Sequence, residues 1–240
     1  MAIKLTDPFN SEGWIQAQKE PAVYETSTGK WYGKTVTIGT QTWMAENLKV
    51  THYKDGTPIP CYTFDPTSWA ADTEGACSGY NFPGTGHGFK EIGWELQYGL
   101  LYNWHAVNNA AGLAPDGWHV PTEAERIVLT TYLDAEPPSL TVDVGSMLAG
   151  RRELWNYDIC PSAFLDSPDF GATGFNALPA GRYEDMVPSG YYPVYESLMA
   201  VFWTATADGT DAKTIDIASQ YGSFGSQSKG MGLSVRCIKD

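Results

Sequence analysis

The segment "FWTATADGTDAKTIDIASQYGSFGSQSKGMGLSVRC", residues 202–237, decides how this chain reads. Two short runs in it have strand chemistry. In the first, Ile215 and Ile217 share one side of a period-two alternation, and Thr214, Asp216 and Ala218 share the other. In the second, Leu233, Val235 and Cys237 alternate with Ser234 and Arg236. The stretch between them is Ser, Gly and Gln with Tyr221 and Phe224. This pattern predicts an exposed tip between two strands that are anchored in the core.

Upstream, "MAVFWTAT" and "GFNALPAGRYE" add short apolar runs. "KTVTIGTQTWMAENLKVTHY" alternates Val36 and Ile38 with Thr35 and Thr37 and turns at Gly39–Thr40, a hairpin pattern. Two helices are predicted between these β regions. One places Leu96, Leu100, Trp104 and Val107 at helical spacing and ends at Gly112. The other starts at Thr122, with Glu125 three residues on as a capping box, and buries Ile127, Leu129, Tyr132 and Leu133. A short helix is expected in "VGSMLAGRRELW", and residues 55–95 read as one long loop. The order is that of an α+β domain over 26–240, preceded by a polar arm at 1–25.

Composition supports an ordered chain. Aromatics reach 13%, charged residues only 18%, and glycine and proline are abundant, which suits short strands and long loops. A formal charge of −13 with no basic window argues against nucleic acid and anionic membranes as partners. No 18-residue apolar run and no apolar leader are found, so no membrane insertion is expected. The expected setting is cytoplasmic synthesis followed by a virion, or a cell surface if a leader was removed. Cys61, Cys77, Cys160 and Cys237 form no CxxC, and free buried thiols are the expected state without a secretion signal.

Six motifs carry a resemblance. "VTIGTQTWMAENLKVTHYKDGTPIP", "YGLLYNWHAV", "GLAPDGWHVPTEAE", "GFNALPAGRY", "FWTAT" and "GLSVRC" occur in this order between about Trp31 and Lys239. Together they resemble the Fibrobacter succinogenes major paralogous domain. That resemblance implies a C-type lectin-like fold, with two helices packed on small antiparallel sheets, long irregular loops, and paired N- and C-terminal strands. It also implies a kinship with variable proteins of diversity-generating retroelements. In those, a reverse transcriptase rewrites adenine positions in the gene segment equivalent to 204–231, ahead of a fixed "SVRC"-type strand. Rewriting an AAY codon reaches Ser, Thr, Asp, Ala, Gly, Tyr, Phe and Ile but not Lys, Gln or Met. Lys213, Gln220, Gln227, Lys229 and Met231 therefore need other template codons.

Chemistry is sparse in the sequence. Formylglycine-generating enzymes share the implied fold but need two neighbouring cysteines, and Cys237 has none nearby in sequence. Calcium wants six to eight oxygens, whereas Asp208, Asp211 and Asp216 are spread out and read as solvated loop carboxylates. His52, His87, His105 and His119 form no zinc motif, and His119 is expected to make a structural hydrogen bond. Trp43, Trp104, Trp118 and Trp203 fall in framework motifs and are expected in the core. The resulting expectation is a non-enzymatic binding protein with no cofactor and no metal, whose partner is a protein or glycan receptor. Its candidate ligand-binding residues are Thr204, Asp208, Thr210, Asp211, Lys213, Thr214, Asp216, Ala218, Gln220, Tyr221, Ser223, Phe224, Ser226, Gln227, Ser228 and Met231. Tyr221 and Phe224 are its anchors, since Tyr, Ser and Gly are the chemistry of adaptable binding loops. A structural or surface-decorating module is the alternative from another class.

Overall fold

The computed structural model describes residues 24–25, 30–31, 33–62, 66–79, 98–135, 144–184, 193–194, 197–218 and 225–240. Of the arm expected at 1–25, only 24–25 falls among them. Its strands are β1 (Tyr24–Glu25), β2 (Lys30–Trp31), β3 (Thr35–Ile38), β4 (Gln41–Met44), β5 (Cys77–Ser78), β6 (Leu101–Tyr102), β7 (Trp118–His119), β8 (Arg182–Tyr183), β9 (Pro193–Val194), β10 (Met199–Asp208), β11 (Asp211–Ala218), β12 (Ser226–Ser228) and β13 (Ile238–Lys239). The helices are α1 (Pro66–Ala71), α2 (Trp104–Val107), α3 (Glu123–Ala135), α4 (Val144–Leu148) and α5 (Ser162–Leu165), with a 3-10 turn at Arg152–Leu154. The architecture is α+β with small antiparallel sheets.

Two sheets organise the chain. One has the order β3-β4-β13-β7, so the last strand lies between the early hairpin and β7, with Ile238 opposite both Trp43 and His119. The other has the order β10-β11-β12. Residues 232–237 strap the two together. Leu233 pairs with Tyr102, Ser234 bridges Phe202, and the Val235 and Cys237 carbonyls accept from the Leu48 and Met44 amides at 2.8 and 3.0 Å. The alternation in "GLSVRC" therefore does not separate an inside from an outside. Leu233, Ser234, Val235, Arg236 and Cys237 are all fully buried.

The β10–β11 pair lies between two cores. Val201 and Trp203 join the cluster around Met44, Leu48, Tyr102 and Val235, while Phe202, Ile215 and Ile217 join the cluster around Leu129, Leu148, Phe164 and Phe175. Trp43, Trp104, Trp118 and Trp203 are all buried, as expected. The hairpins β3–β4 and β10–β11 each turn on two residues, Gly39–Thr40 and Gly209–Thr210. In both, the glycine alone takes positive φ, 59° and 62°, as a type II′ turn requires.

Several local expectations are corrected. The helix expected from Leu96 to Val107 is not continuous among the described residues, and Leu96 itself lies outside them. Gly99 at φ 77° breaks it, Leu101–Tyr102 pairs with β5, and α2 begins only after Asn103, whose Oδ1 accepts from the Ala106 amide at 3.0 Å. The capping box of α3 forms, with the Thr122 amide donating to Glu125 Oε2 at 2.7 Å and the Glu125 amide to Thr122 Oγ1 at 3.3 Å. Its buried face is Arg126, Leu129, Thr130 and Leu133, leaving Ile127 and Tyr132 exposed. Arg126 can be buried because Glu123 accepts two bonds from it, at 2.6 and 2.7 Å. The stretch 55–95, read as one loop, contains α1 and β5. Cys61 and Cys77 form a disulfide across α1, and only Cys160 and Cys237 are free, both buried.

Candidate functional site

The far end of the β10–β11 hairpin is displaced from the core by a bulge. The register runs Trp203↔Thr214 and resumes at Ala207↔Ala212, so residues 204–206 stand against Lys213 alone. The bulge is pinned. Thr204 Oγ1 donates to the Lys213 carbonyl at 2.9 Å, and the Thr204 carbonyl accepts from Trp104 Nε1 at 2.9 Å. The Ala205 amide donates to the Pro121 carbonyl at 2.8 Å, and Thr206 Oγ1 accepts from the Glu123 amide at 2.9 Å, satisfying a donor at the start of α3.

Beyond the bulge the side chains reach solvent. Ala205, Ala207, Asp208 and Thr210 are exposed, and Asp211, Lys213 and residues 225–231 are half-buried. β12 extends this end, with Ser228, Gln227 and Ser226 opposite Asp211, Ala212 and Lys213. A polar knot ties the three strands: Lys213 Nζ lies 2.8 Å from Asp208 Oδ2 and donates to Ser226 Oγ at 3.1 Å, and Ser226 Oγ donates to Asp208 Oδ2 at 2.5 Å. The hydrogen bonds from Lys213 and Ser226 hold the Asp208 carboxyl below its ordinary pKa. Lys229 Nζ donates to the Gly209 carbonyl at 2.6 Å and lies 4.8 Å from the Trp104 ring centre. Trp69 Nε1 donates to the Gly230 carbonyl at 2.7 Å.

The structure thus brings Asp208, Thr210, Asp211, Lys213, Ser226, Gln227, Ser228 and Met231 to one accessible end. Thr204 and Thr214 do not belong to it, because both are fully buried. Thr214, expected to point outward, shares its sheet face with Val201 and Trp203, and that face is covered by a second core. Asp216 is not a solvated carboxylate either. It is largely buried, its Oδ1 makes no hydrogen bond, and burial raises its pKa to about 6 despite the opposing effect of Thr214, Arg182 and Arg126. Gln220, Tyr221, Ser223 and Phe224 and the side chain of Ala218 lie outside the described residues. Ala205, Ala207 and Lys229, which are not among the candidate residues, also stand at this end. The Gly209 turn was the available signal for the first two, since it makes residues on either side a hairpin tip.

Among the described residues no group of three or more His, Cys, Asp or Glu could hold a metal, and no helix is long and apolar enough to cross a membrane. His119 makes the structural contacts expected of it, 2.7 Å from Asp240 Oδ1 through Nδ1 and 2.7 Å from Glu125 Oε1 through Nε2. Cys237 is fully buried, and burial pushes its thiol far above the ordinary range.

No curated protein and no solved structure gives a significant match to this chain. The family model described as the Fibrobacter succinogenes major domain matches residues 36–239, from the first strand of the early hairpin to the last strand of the chain, and the chain belongs to that family.

Proposed function

We propose that this is a non-enzymatic binding protein with a C-type lectin-like fold, displaying a variable ligand surface at the end of its C-terminal sheet. The observation that carries the reading is the division of roles within 204–231. Thr204, Ala212, Thr214, Ile215 and Ile217 are buried at 0 or 1% exposure and Asp216 is largely buried, while among the described residues Ala205, Ala207, Asp208 and Thr210 are exposed and Asp211, Lys213 and 225–230 are half-buried. Side chains of the second kind can change without cost to the fold. The pairing of β13 with β4 fits the closed chain ends of lectin-like domains. The partner is a protein or glycan receptor on a target cell, and the protein sits on a virion or a cell surface. A thiolate-based oxidase is disfavoured by Cys237, which is buried and held protonated.

A second reading, a surface-decorating module without a ligand, draws on the Asp208–Lys213–Ser226 knot, whose polar groups already satisfy one another. Sequencing related copies of the gene separates the two. The binding reading expects substitutions concentrated at Ala205, Ala207, Asp208, Thr210, Asp211, Gln227 and Ser228, sparing Thr204, Ala212, Thr214, Ile215 and Ile217. Differences spread evenly along the chain would sink it.

A further inference from the structure

A second concavity, which uses none of the hairpin residues, lies where the end of α4 and the 3-10 turn face residues 170–176. It is a cleft of about 450 Å³, within the range of small-ligand pockets. Its walls include Gly150, Arg151, Arg152, Glu153, Phe170 and Asn176.

Several of its polar groups are half-exposed and have donors to spare. Arg151 donates its Nε to Glu153, and its terminal nitrogens make no hydrogen bond among the described residues. The Arg152 guanidinium lies 5.0 Å from the Phe170 ring centre, and its nearest carboxylate, Asp166, is 3.8 Å away, beyond hydrogen-bonding distance. The side-chain amide of Asn176 makes no hydrogen bond among the described residues, although its carbonyl is held by Arg236. The backbone is held in place too. Arg151 and Asn176 adopt left-handed φ of 52° and 58°, two of the three non-glycine residues that do so among the described residues. Asn tolerates this conformation, whereas for Arg151 it costs about 1–3 kcal/mol and persists only where the surroundings fix it, as strained backbone at ligand sites does. A Cβ at Gly150 would run into the Asn176 side chain, so the glycine permits this close wall.

We propose that this cleft binds a small carboxylated, hydroxylated ligand of the hexuronate class. Two guanidinium groups with free donors match a planar carboxylate, and the ring beneath Arg152 limits the freedom it loses on binding. Glu153 and Asn176 offer an acceptor and an amide to ligand hydroxyls. Carboxylate is favoured over phosphate because Glu153 and Asp166 flank the arginines and the chain carries −13 overall, which disfavours a dianion more than a monoanion.

Titration of the full chain with glucuronate, glucose and inorganic phosphate, followed by NMR, tests the assignment. The reporter is the Trp155 indole N–H, which donates to the Gly150 carbonyl on the cleft wall at 2.9 Å. Glucuronate should shift it saturably at millimolar concentration, with glucose and phosphate at least about tenfold weaker. Arg152→Gln should weaken glucuronate binding about tenfold with an unchanged melting temperature, and Arg152→Lys, which keeps the charge but loses the fork, should weaken it too. Arg151→Asn, a residue tolerant of left-handed backbone, should behave like Arg152→Gln. No saturable shift, equal binding by the variants, or tighter binding of phosphate or glucose would each overturn the assignment.

Discussion

Arg236 Nε donates to Asn47 Oδ1 at 2.8 Å, joining residues 189 positions apart at a fully buried site. The same guanidinium donates to the Phe175 and Asn176 carbonyls and packs against both the Phe175 and Phe202 rings, 4.6 and 5.2 Å from their centres. Burial lowers its pKa to about 9, with a small opposing effect from Glu46, so it remains charged at neutral pH. Its charge is met by carbonyls, an amide oxygen and aromatic faces. Arg236→Ala should leave these acceptors unpaired in the core and destabilise the fold by about 3–5 kcal/mol. Urea unfolding measures this, and a loss under about 1 kcal/mol would remove Arg236 as the clamp.

His119 links the start of α3 to Asp240. Burial pulls the imidazole pKa down, but hydrogen bonds to Asp240 and Glu125 and their charges outweigh it, so the net shift is upward. A raised histidine pKa gives stability that is fully present below the unfolded value of about 6.5 and is lost as pH rises through the folded value. The melting temperature should therefore fall on moving from mildly acidic to mildly alkaline pH. His119→Gln should flatten that slope, and an unchanged slope would count against the link.

Asp216 acts over a lower window. Its folded pKa is about 6 against an ordinary 3.8, so the folded state holds the proton more tightly and stability falls as pH rises between those values. Above about pH 6 the full penalty remains. Asp216→Asn should add up to about 3 kcal/mol at pH 7 and little at pH 4. Equal effects at both pH values would contradict the burial of a charged carboxylate.

The disulfide between Cys61 and Cys77 closes a loop of sequence separation 16 that carries Trp69 and its bond to Gly230. Reduction should cost about 3 kcal/mol, the loop-entropy value for that length. Thiol titration should find no reactive cysteine in the native, non-reduced chain and two after unfolding, Cys160 and Cys237. Four thiols on unfolding without reductant would show that the bond does not form.

Elements set by local chemistry were legible in the sequence. The Gly39–Thr40 hairpin and the Thr122–Glu125 box follow from neighbours a few residues apart. What failed depended on distant partners. Period two placed Thr214 and Asp216 outward because it cannot reveal a second core covering the far face of β11. Helical spacing of Leu96 and Leu100 hid the pairing of Leu101–Tyr102 with β5, which lies beyond a long intervening stretch. Arg126 replaced Ile127 on the buried side of α3 because Glu123 neutralises it. Of the candidate site, the Ser- and Gln-rich run pointed to an exposed tip between β11 and the last strand, but 219–224 lie outside the described residues and 226–228 pair with β11; neither the Gly209–Thr210 turn nor the bulge that buries Thr204 was read.

The central claim is that the hairpin end binds a surface receptor. Flow cytometry of the labelled chain on target cells tests it, comparing the parent with a variant carrying Asp208→Ala, Thr210→Ala, Gln227→Ala and Ser228→Ala. These side chains lie outside the core, so the melting temperature should stay within a few degrees of the parent. The account predicts at least about a tenfold loss of cell binding, or about 1.4 kcal/mol. Undiminished binding by a folded variant would contradict it.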